Sequence, residues 1–246
     1  MSNIPEIPSL LDLLKAGVHF GHKVSRRHPK MIPYIFGARG GINLINLELT
    51  QTKLREGLEF VFNLGKENKV LLFIGTKKQA QSIVQKYAVE CGQPYVNKKW
   101  LGGTFTNFSE IRKLIRKYLD LKDKKVRGEF VKYTKKEQTK FNKEIGKMEE
   151  GIGGFSSLTR LPDAVFIVDV KYEKTALVEA KGRKLPVVAI CDTNVDPSPV
   201  DYPIPSNDDA GKAIELLVGL VAQAYKNGKS EATAIASEAP KEIKEK

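Results

Sequence analysis

The sequence predicts an α/β fold in which a parallel β-sheet is covered by helices on both faces and carries an inserted antiparallel helical hairpin. Three observations support this prediction. Short apolar runs recur along the chain, and the first, residues 70–74, ends at a glycine, as suits a buried parallel strand. Helical spacings of apolar residues follow these runs. Between residues 104 and 154, however, two helical patterns follow each other with no strand between them.

The first elements lie ahead of the sheet. Residues 34–45 predict a β-hairpin, because Arg39-Gly40-Gly41 supplies a turn between two alternating apolar stretches. A helix follows this hairpin, and then comes the strand at residues 70–74. The next helix places Ala80, Ile83, Val84, Tyr87 and Ala88 at helical spacing, and Thr76 with Gln79 predicts a capping box at its start.

The remaining strands of the sheet lie in the second half of the chain. Residues 164–168, 186–191 and 202–204 predict strands, with a polar helix over 173–182. A long helix is expected to begin at residues 206–209. Its apolar face comprises Ala213, Ile214, Leu217, Val218, Val221 and Tyr225. Alternating strands and helices imply right-handed crossovers in a parallel sheet.

The insertion predicts two helices whose apolar residues step by three and four, as in a coiled-coil seam. Asn107 with Glu110 and Thr134 with Glu137 are expected to cap them, and a loop around residues 123–133 joins them. We therefore divide the chain into three parts, each defined by its residues. They are an α/β domain of residues 1–104 and 153–226, an inserted hairpin of residues 105–152, and a disordered tail of residues 227–246 that is rich in Ala, Glu and Lys.

Composition excludes several classes of protein. The 246 residues are 41% hydrophobic and 28% charged, which is ordinary for a globular domain and excludes collagen-like and wholly disordered chains. No stretch reaches eighteen apolar residues, so no membrane span is expected. Two distant cysteines, Cys91 and Cys191, provide neither a disulfide framework nor a zinc motif. These features, with an N-terminus unlike a signal peptide, predict a cytoplasmic protein.

Charge points to a polyanionic partner. The net charge of +12 is uneven: residues 1–150 carry 29 basic and 15 acidic side chains, whereas residues 151–210 carry 6 and 9. Within the insertion, residues 112–147 carry 14 basic and 5 acidic side chains. Such a run can be a solvated lysine-rich face, or it can bind phosphates electrostatically. A membrane surface is a weaker candidate, because the narrow apolar seam is used between the two helices.

Twelve residues are predicted to bind RNA, and they fall in three segments. The basic loop, residues 17–39, combines irregular backbone with hydrogen-bond donors for phosphates and ribose. It supplies His22, Lys23, Arg26, Arg27, Lys30 and Arg39. The glycine-rich segment 97–107 supplies Lys98, Lys99 and Trp100, and the first insertion helix supplies Arg112, Lys113 and Arg116. Trp100 could equally stack on a base or fill the core at the root of the hairpin.

Two other site hypotheses have less support. His19 and His22 could bind a metal, but their spacing and the lack of a nearby Cys or carboxylate match no common metal motif. A nucleotide- or anion-binding enzyme could use Gly75 to Lys78, which follow a strand and open a helix. That segment lacks the Walker spacing, and neither a G-x-G-x-x-G motif nor a nucleophile elbow occurs in the chain. No catalytic residue, metal or cofactor is therefore expected.

Several long motifs, in one order from about Leu10 to Tyr225, resemble the family of bacterial small-subunit ribosomal protein two. The motifs occupy residues 17–22, 29–39, 100–107, 161–164, 191–194 and 204–210. The chain departs from the family pattern at Arg27-His28 and at Lys98, where donors are kept or added. The resemblance implies a flavodoxin-like or Rossmann-like sheet with an inserted hairpin. It also implies a structural role in the small ribosomal subunit, as a monomer that binds 16S rRNA and neighbouring proteins and helps dock ribosomal protein one.

Overall fold

The computed structural model describes residues 3–238. In chain order the helices and strands are α1 (Leu10–Ala16), β1 (Phe20–Lys23), β2 (Ile35–Arg39), β3 (Ile42–Ile45), α2 (Leu47–Lys66), β4 (Leu71–Ile74), α3 (Gln81–Cys91), β5 (Tyr95–Val96), α4 (Phe108–Val126), α5 (Lys135–Ile152), β6 (Ala164–Ile167), α6 (Lys174–Gly182), β7 (Val187–Cys191), β8 (Tyr202–Pro205) and α7 (Gly211–Glu238). Short 3₁₀ turns connect some of them. None of the helices within these described residues has the length and apolar character needed to cross a membrane.

The main sheet confirms the predicted fold class. Its five strands are parallel and lie in the order β5-β4-β6-β7-β8. If these five strands are renumbered by their order along the chain, the arrangement is 2-1-3-4-5, as in flavodoxin-like folds. Strand β5 lies on one side of β4, and the later strands β6, β7 and β8 lie on the other side. The direction of winding therefore changes between β4 and β6. All residues of β4, β6 and β7 are buried, which explains their continuous apolar runs.

Helices cover both faces of this sheet. Because successive side chains in a strand point to opposite faces, Leu71 and Phe73 pack with α2, α3 and α7, whereas Leu72 and Ile74 pack on the other side. That second side is covered by α6 and by residues at the root of the insertion, such as Phe105 and Ile152. The insertion is thus joined to the domain core by a continuous apolar cluster.

A second sheet, with three antiparallel strands in the order β1-β3-β2, forms from the N-terminal region. The β2–β3 hairpin is confirmed, with Gly40 and Gly41 at positive φ in its turn. Strand β1 was not expected, since it is four residues long and follows no apolar alternation. Gly21 in β1 lies so close to Thr193, which follows β7, that a Cβ atom at position 21 would overlap the Thr193 side chain.

The insertion forms an antiparallel pair of helices, α4 and α5, which emerges between β5 and β6. The capping box of Thr134 and Glu137 is confirmed at the start of α5. Asn107 begins α4 without a side-chain hydrogen bond to the helix backbone. The predicted capping box at Thr76 is wrong. Helix α3 begins later, at Gln81, and the Thr76 hydroxyl donates to the buried Glu173 instead of to a helix amide.

The predicted disordered tail is wrong for residues 227–238, which continue α7. The helix extends because α7 crosses α2 with glycine on both sides of the contact. Gly65 lies against the backbone of Tyr225, and Gly228 lies against the backbone of Phe62. An ion pair between Lys66 and Glu231, 2.8 Å apart, extends the contact toward the C-terminus. Residues 239–246 of the predicted tail lie outside the described residues.

This crossing makes a testable prediction about stability. Gly228→Ala should lower the free energy of unfolding by roughly 1–3 kcal/mol, because the new Cβ atom would overlap the Phe62 carbonyl oxygen. Gly146→Ala is the matched control: Gly146 lies within α5, where an added Cβ meets no atom within 4 Å. That change should raise stability by up to about 1 kcal/mol. Urea denaturation measures both, and equal stabilisation by the two changes would contradict the close crossing.

Candidate nucleic-acid interface

A partly buried cluster of opposite charges lies at the carboxyl end of the main sheet. Lys77 follows β4, and its Nζ lies 3.0 Å from Asp169 Oδ2, 2.8 Å from Asp208 Oδ1 and 2.7 Å from Asp209 Oδ1. Burial opposes the charged ammonium, but the hydrogen bonds to Asp208 and Asp209 outweigh it and raise the pKa of Lys77. Burial and the charges of Asp169 and Asp192 raise the pKa of Asp208. Lys77 thus neutralises part of a crowded acidic edge.

His22 brings the basic loop to the same edge. Its Nδ1 lies 3.1 Å from Asp192 Oδ2, and its Nε2 lies 3.5 Å from Asp209 Oδ2. The hydrogen bond to Asp192 raises the pKa of His22, although burial opposes it. The His22 backbone amide also donates to Thr193 Oγ1, and Asn43 Nδ2 donates to the His22 carbonyl. His22 therefore has an internal partner at each polar group, and its predicted RNA contact would add to this role.

Within the described residues, His22, Asp208 and Asp209 form the one group of three metal-ligating side chains, with their ligand atoms within 4.8 Å of one another. Lys77 already supplies a cation to two of these carboxylates. His19 is not part of this group: burial lowers its pKa, and its ring lies 4.0 Å from that of Phe20. The two histidines are therefore not brought together as metal ligands.

Two donors of the segment Gly75 to Lys78 are engaged within the protein, whereas Lys78 is exposed and forms no ion pair within the described residues. The Thr76 amide donates to Glu173 Oε1 at 2.7 Å, and the Lys77 ammonium is held by three carboxylates. Helix α3 starts later, at Gln81, so its N-terminus does not include these amides. Two of the donors on which the nucleotide-binding hypothesis depended, the Thr76 amide and the Lys77 ammonium, are thus engaged within the protein.

The other cations of the basic loop point outward. Lys23, Arg26, Arg27, Lys30 and Arg39 are all exposed. Lys30 pairs with Asp196 at 2.8 Å and lowers the pKa of that carboxyl, whereas the other four have no carboxylate within 4 Å in the part of the chain that the structure describes. Lys23 and Arg39 both lie opposite Ile42, on either side of β3, so the register places them on one face.

The glycine-rich segment is held by a helix that packs against it. Glu179 of α6 accepts hydrogen bonds from Trp100 Nε1 at 3.1 Å, from the Gly103 amide at 2.8 Å and from the Phe105 amide at 2.9 Å. Burial opposes its charge, but the Phe105 and Gly103 amides lower the pKa of Glu179. Arg183, one turn later, donates to the Phe105 carbonyl at 2.9 Å.

Trp100 is half-buried in this arrangement. Its ring meets Phe105 edge-on, with centroids 4.9 Å apart, and its indole N–H is bonded to Glu179. These contacts favour a packing role at the root of the hairpin, while Lys98 and Lys99 beside it are exposed. Sequence reasoning missed Glu179. The one feature of the sequence that could have identified Glu179 is that a carboxylate lies among Ala176, Leu177 and Ala180, on the buried face of a short helix.

The inserted hairpin exposes the largest set of cations. Five of its fourteen basic residues between 112 and 147 form ion pairs, among them Lys113 with Glu110 at 2.7 Å. The other nine, all within the described residues, have no carboxylate within 4 Å. These nine are Arg112, Arg116, Lys125, Lys132, Lys135, Lys136, Lys140, Lys143 and Lys147. The hairpin thus keeps most of its positive charge available for an external partner.

One exposed surface is apolar instead. Leu10, Leu11 and Leu14 of α1 line a groove of about 510 Å³ together with Phe36 and Leu47. Phe36 is 79% exposed. An apolar groove of this kind is typical of a contact with another protein rather than with phosphates.

Comparison with known proteins agrees with the motifs. The family described as "Ribosomal protein S2" matches residues 13–228. A relative from Hahella chejuensis, named "Small ribosomal subunit protein uS2", is 47% identical over 224 residues, which cover 91% of this chain and 88% of the relative. A protein of the same name from Chloroflexus aurantiacus is 44% identical over 225 residues, which cover 92% of this chain and 94% of the relative. A third relative of the same name, from Marinobacter nauticus, is 47% identical over 214 residues, which cover 87% of this chain and 86% of the relative. With this family match over most of its length, the chain belongs to the ribosomal protein S2 family, a family of small-subunit ribosomal proteins.

Proposed function

We propose that this protein is a structural constituent of the small ribosomal subunit that binds 16S rRNA through two exposed basic surfaces and performs no catalysis. The first surface is the basic loop, in which the exposed Arg26 and Arg27 have no carboxylate within 4 Å among the described residues. The second is the inserted hairpin with its nine cations that lack a carboxylate partner. The observation that carries the proposal is this distribution of unpaired positive charge, whereas Lys77 and His22 at the sheet edge are already engaged by carboxylates.

The chemistry of these surfaces favours phosphate contact over base reading. Lysine and arginine that neutralise phosphates release condensed counterions, and this term is independent of sequence. Such contacts fix the register and orientation of a protein on folded RNA. The basic loop is suited to this because β1 and the His22 contacts attach it to the sheet edge, which lowers the entropy lost on binding.

The partners include protein neighbours as well as RNA. Exposed Leu11, Leu14 and Phe36 support a protein contact on the N-terminal side of the domain. The resemblance to the family supports a role in docking ribosomal protein one. In this proposal the protein is a cytoplasmic monomer within the ribosome, with no membrane partner and no cofactor.

The absence of catalysis is inferred from the sheet edge where an α/β enzyme would bind its substrate. There the ammonium of Lys77 and the imidazole of His22 are held by carboxylates, and Thr76 is bonded to Glu173. No pairing of a nucleophile with a free base is found among these groups.

The first prediction concerns salt. Binding of the full-length protein to 16S rRNA should weaken by roughly a thousandfold or more between 50 and 200 mM KCl if six or more phosphates are contacted, because counterion release is then less favourable. Filter binding across this range measures the slope of affinity against salt. An affinity that stays constant would contradict electrostatic binding.

The second prediction concerns the basic loop. Replacing Arg26, Arg27 and Lys30 with alanine should weaken binding to all RNA sequences alike and reduce the salt slope by about one for each phosphate that is no longer neutralised. Arg55, Lys212 and Lys229 provide a matched control, since they are exposed, lie on α2 and α7, and remove the same charge when replaced with alanine. Equal losses of affinity in the two triple variants would mean that only net charge matters.

A further inference from the structure

A small cavity lies at the point where the winding of the sheet changes direction. It has a volume of about 330 Å³ and is lined by Thr76, which follows β4, and by Tyr172 and Glu173, which follow β6. In open α/β sheets, ligands bind outside the carboxyl ends of the two strands between which the order reverses. The cavity therefore lies where this fold places a ligand, although the adjacent Lys77 cluster is closed.

The walls of this cavity combine an aromatic face with cations. Tyr172 is 62% exposed and its hydroxyl has no hydrogen-bond partner within the described residues. Trp100 of the glycine-rich segment also lines the cavity, together with the exposed Lys98 and Lys99. An exposed tyrosine beside two lysines provides a surface on which a base can stack while its phosphate is neutralised.

Glu173 adds a buried acceptor to the same cavity. It is 3% exposed, and its Oε1 accepts from the amide and hydroxyl of Thr76 at 2.7 Å and 2.6 Å. Its other oxygen, Oε2, accepts no hydrogen bond from the described part of the chain. A carboxylate with a free oxygen can accept from an amino group of a base, as in contacts of Glu with cytosine.

We propose that an unpaired nucleotide of an RNA strand binds in this cavity, with its base on Tyr172 and an exocyclic amino group at Glu173. Lys98 and Lys99 then contact the adjoining phosphates. The inference rests on the proposed RNA-binding function and names the part of the RNA that this site takes. A simple anion is a poorer match, because the Glu173 carboxylate would repel it. Uracil is also a poorer match, since it carries carbonyl oxygens in place of an amino group.

The experiment uses the only tryptophan in the sequence as its probe. Because Trp100 lines the cavity, stacking of a base there should change its fluorescence. The full-length protein is titrated at low salt with single-stranded hexamers of cytidine and of uridine, and with cytidine monophosphate. We expect the cytidine hexamer to quench Trp100 and to bind more tightly than the uridine hexamer. Tyr172→Ala should weaken this binding roughly tenfold or more.

Two further variants keep the test specific. Glu173→Gln preserves the shape of the side chain and should reduce the preference for cytidine over uridine. Val178→Ala is the control, since Val178 is 61% exposed on α6 but does not line the cavity, and binding should be unchanged. Circular dichroism of each variant checks that it is folded.

The outcomes separate this inference from the function on which it rests. Cytidine-hexamer binding with no change in Trp100 fluorescence and no effect of Tyr172→Ala would overturn the site. Cytidine monophosphate binding as tightly as the hexamer would overturn the RNA strand as ligand and indicate a free nucleotide. If 16S rRNA binding persists in either case, only this inference fails, whereas failure of the wild-type protein to bind 16S rRNA refutes the proposed function.

Discussion

The carboxyl edge of the sheet depends on the partly buried ammonium of Lys77. Asp169, Asp192 and Asp208 follow three neighbouring strands, and parallel strands bring such residues to one edge. Lys77 bonds to Asp169 and Asp208, and His22 to Asp192. Removing one partner of a buried ion pair costs about 3–5 kcal/mol, because the remaining charge is left uncompensated. The fold therefore relies on the ammonium of Lys77 and the imidazole of His22, both of which are already engaged by carboxylates.

This arrangement also attaches the basic loop to the domain. His22 belongs to β1. Its backbone amide donates to Thr193 Oγ1, and its carbonyl accepts a hydrogen bond from Asn43. The arginines that follow, Arg26 and Arg27, are thus carried on a segment with fixed ends and remain exposed. The inserted hairpin is also attached to the domain, in this case by an apolar seam between its helices that continues into the core beneath the sheet. In both cases internal contacts hold a backbone whose outward side chains carry unpaired charge.

The parts of the fold that depend on local patterns could be predicted from the sequence. Buried strands such as residues 164–167, the β2–β3 hairpin and the Thr134 capping box each follow from neighbouring residues. The errors involve distant partners. Thr76 bonds to Glu173 rather than capping α3, and α7 extends past residue 227 because Gly228 packs on α2. Likewise, the exposed cations of the candidate site could be predicted, whereas the Asp192 partner of His22 and the Glu179 partner of Trp100 could not.

The central claim is that the hairpin and the basic loop face RNA while α2 and α7 face away. The most direct test is lysine acetylation of the protein, free and within purified small ribosomal subunits, read out by mass spectrometry. We expect Lys135, Lys140 and Lys147 of α5 to be protected in the subunit, whereas Lys212 and Lys229 of α7 should react as they do in the free protein. Hairpin lysines that stay fully reactive in the subunit would contradict this claim.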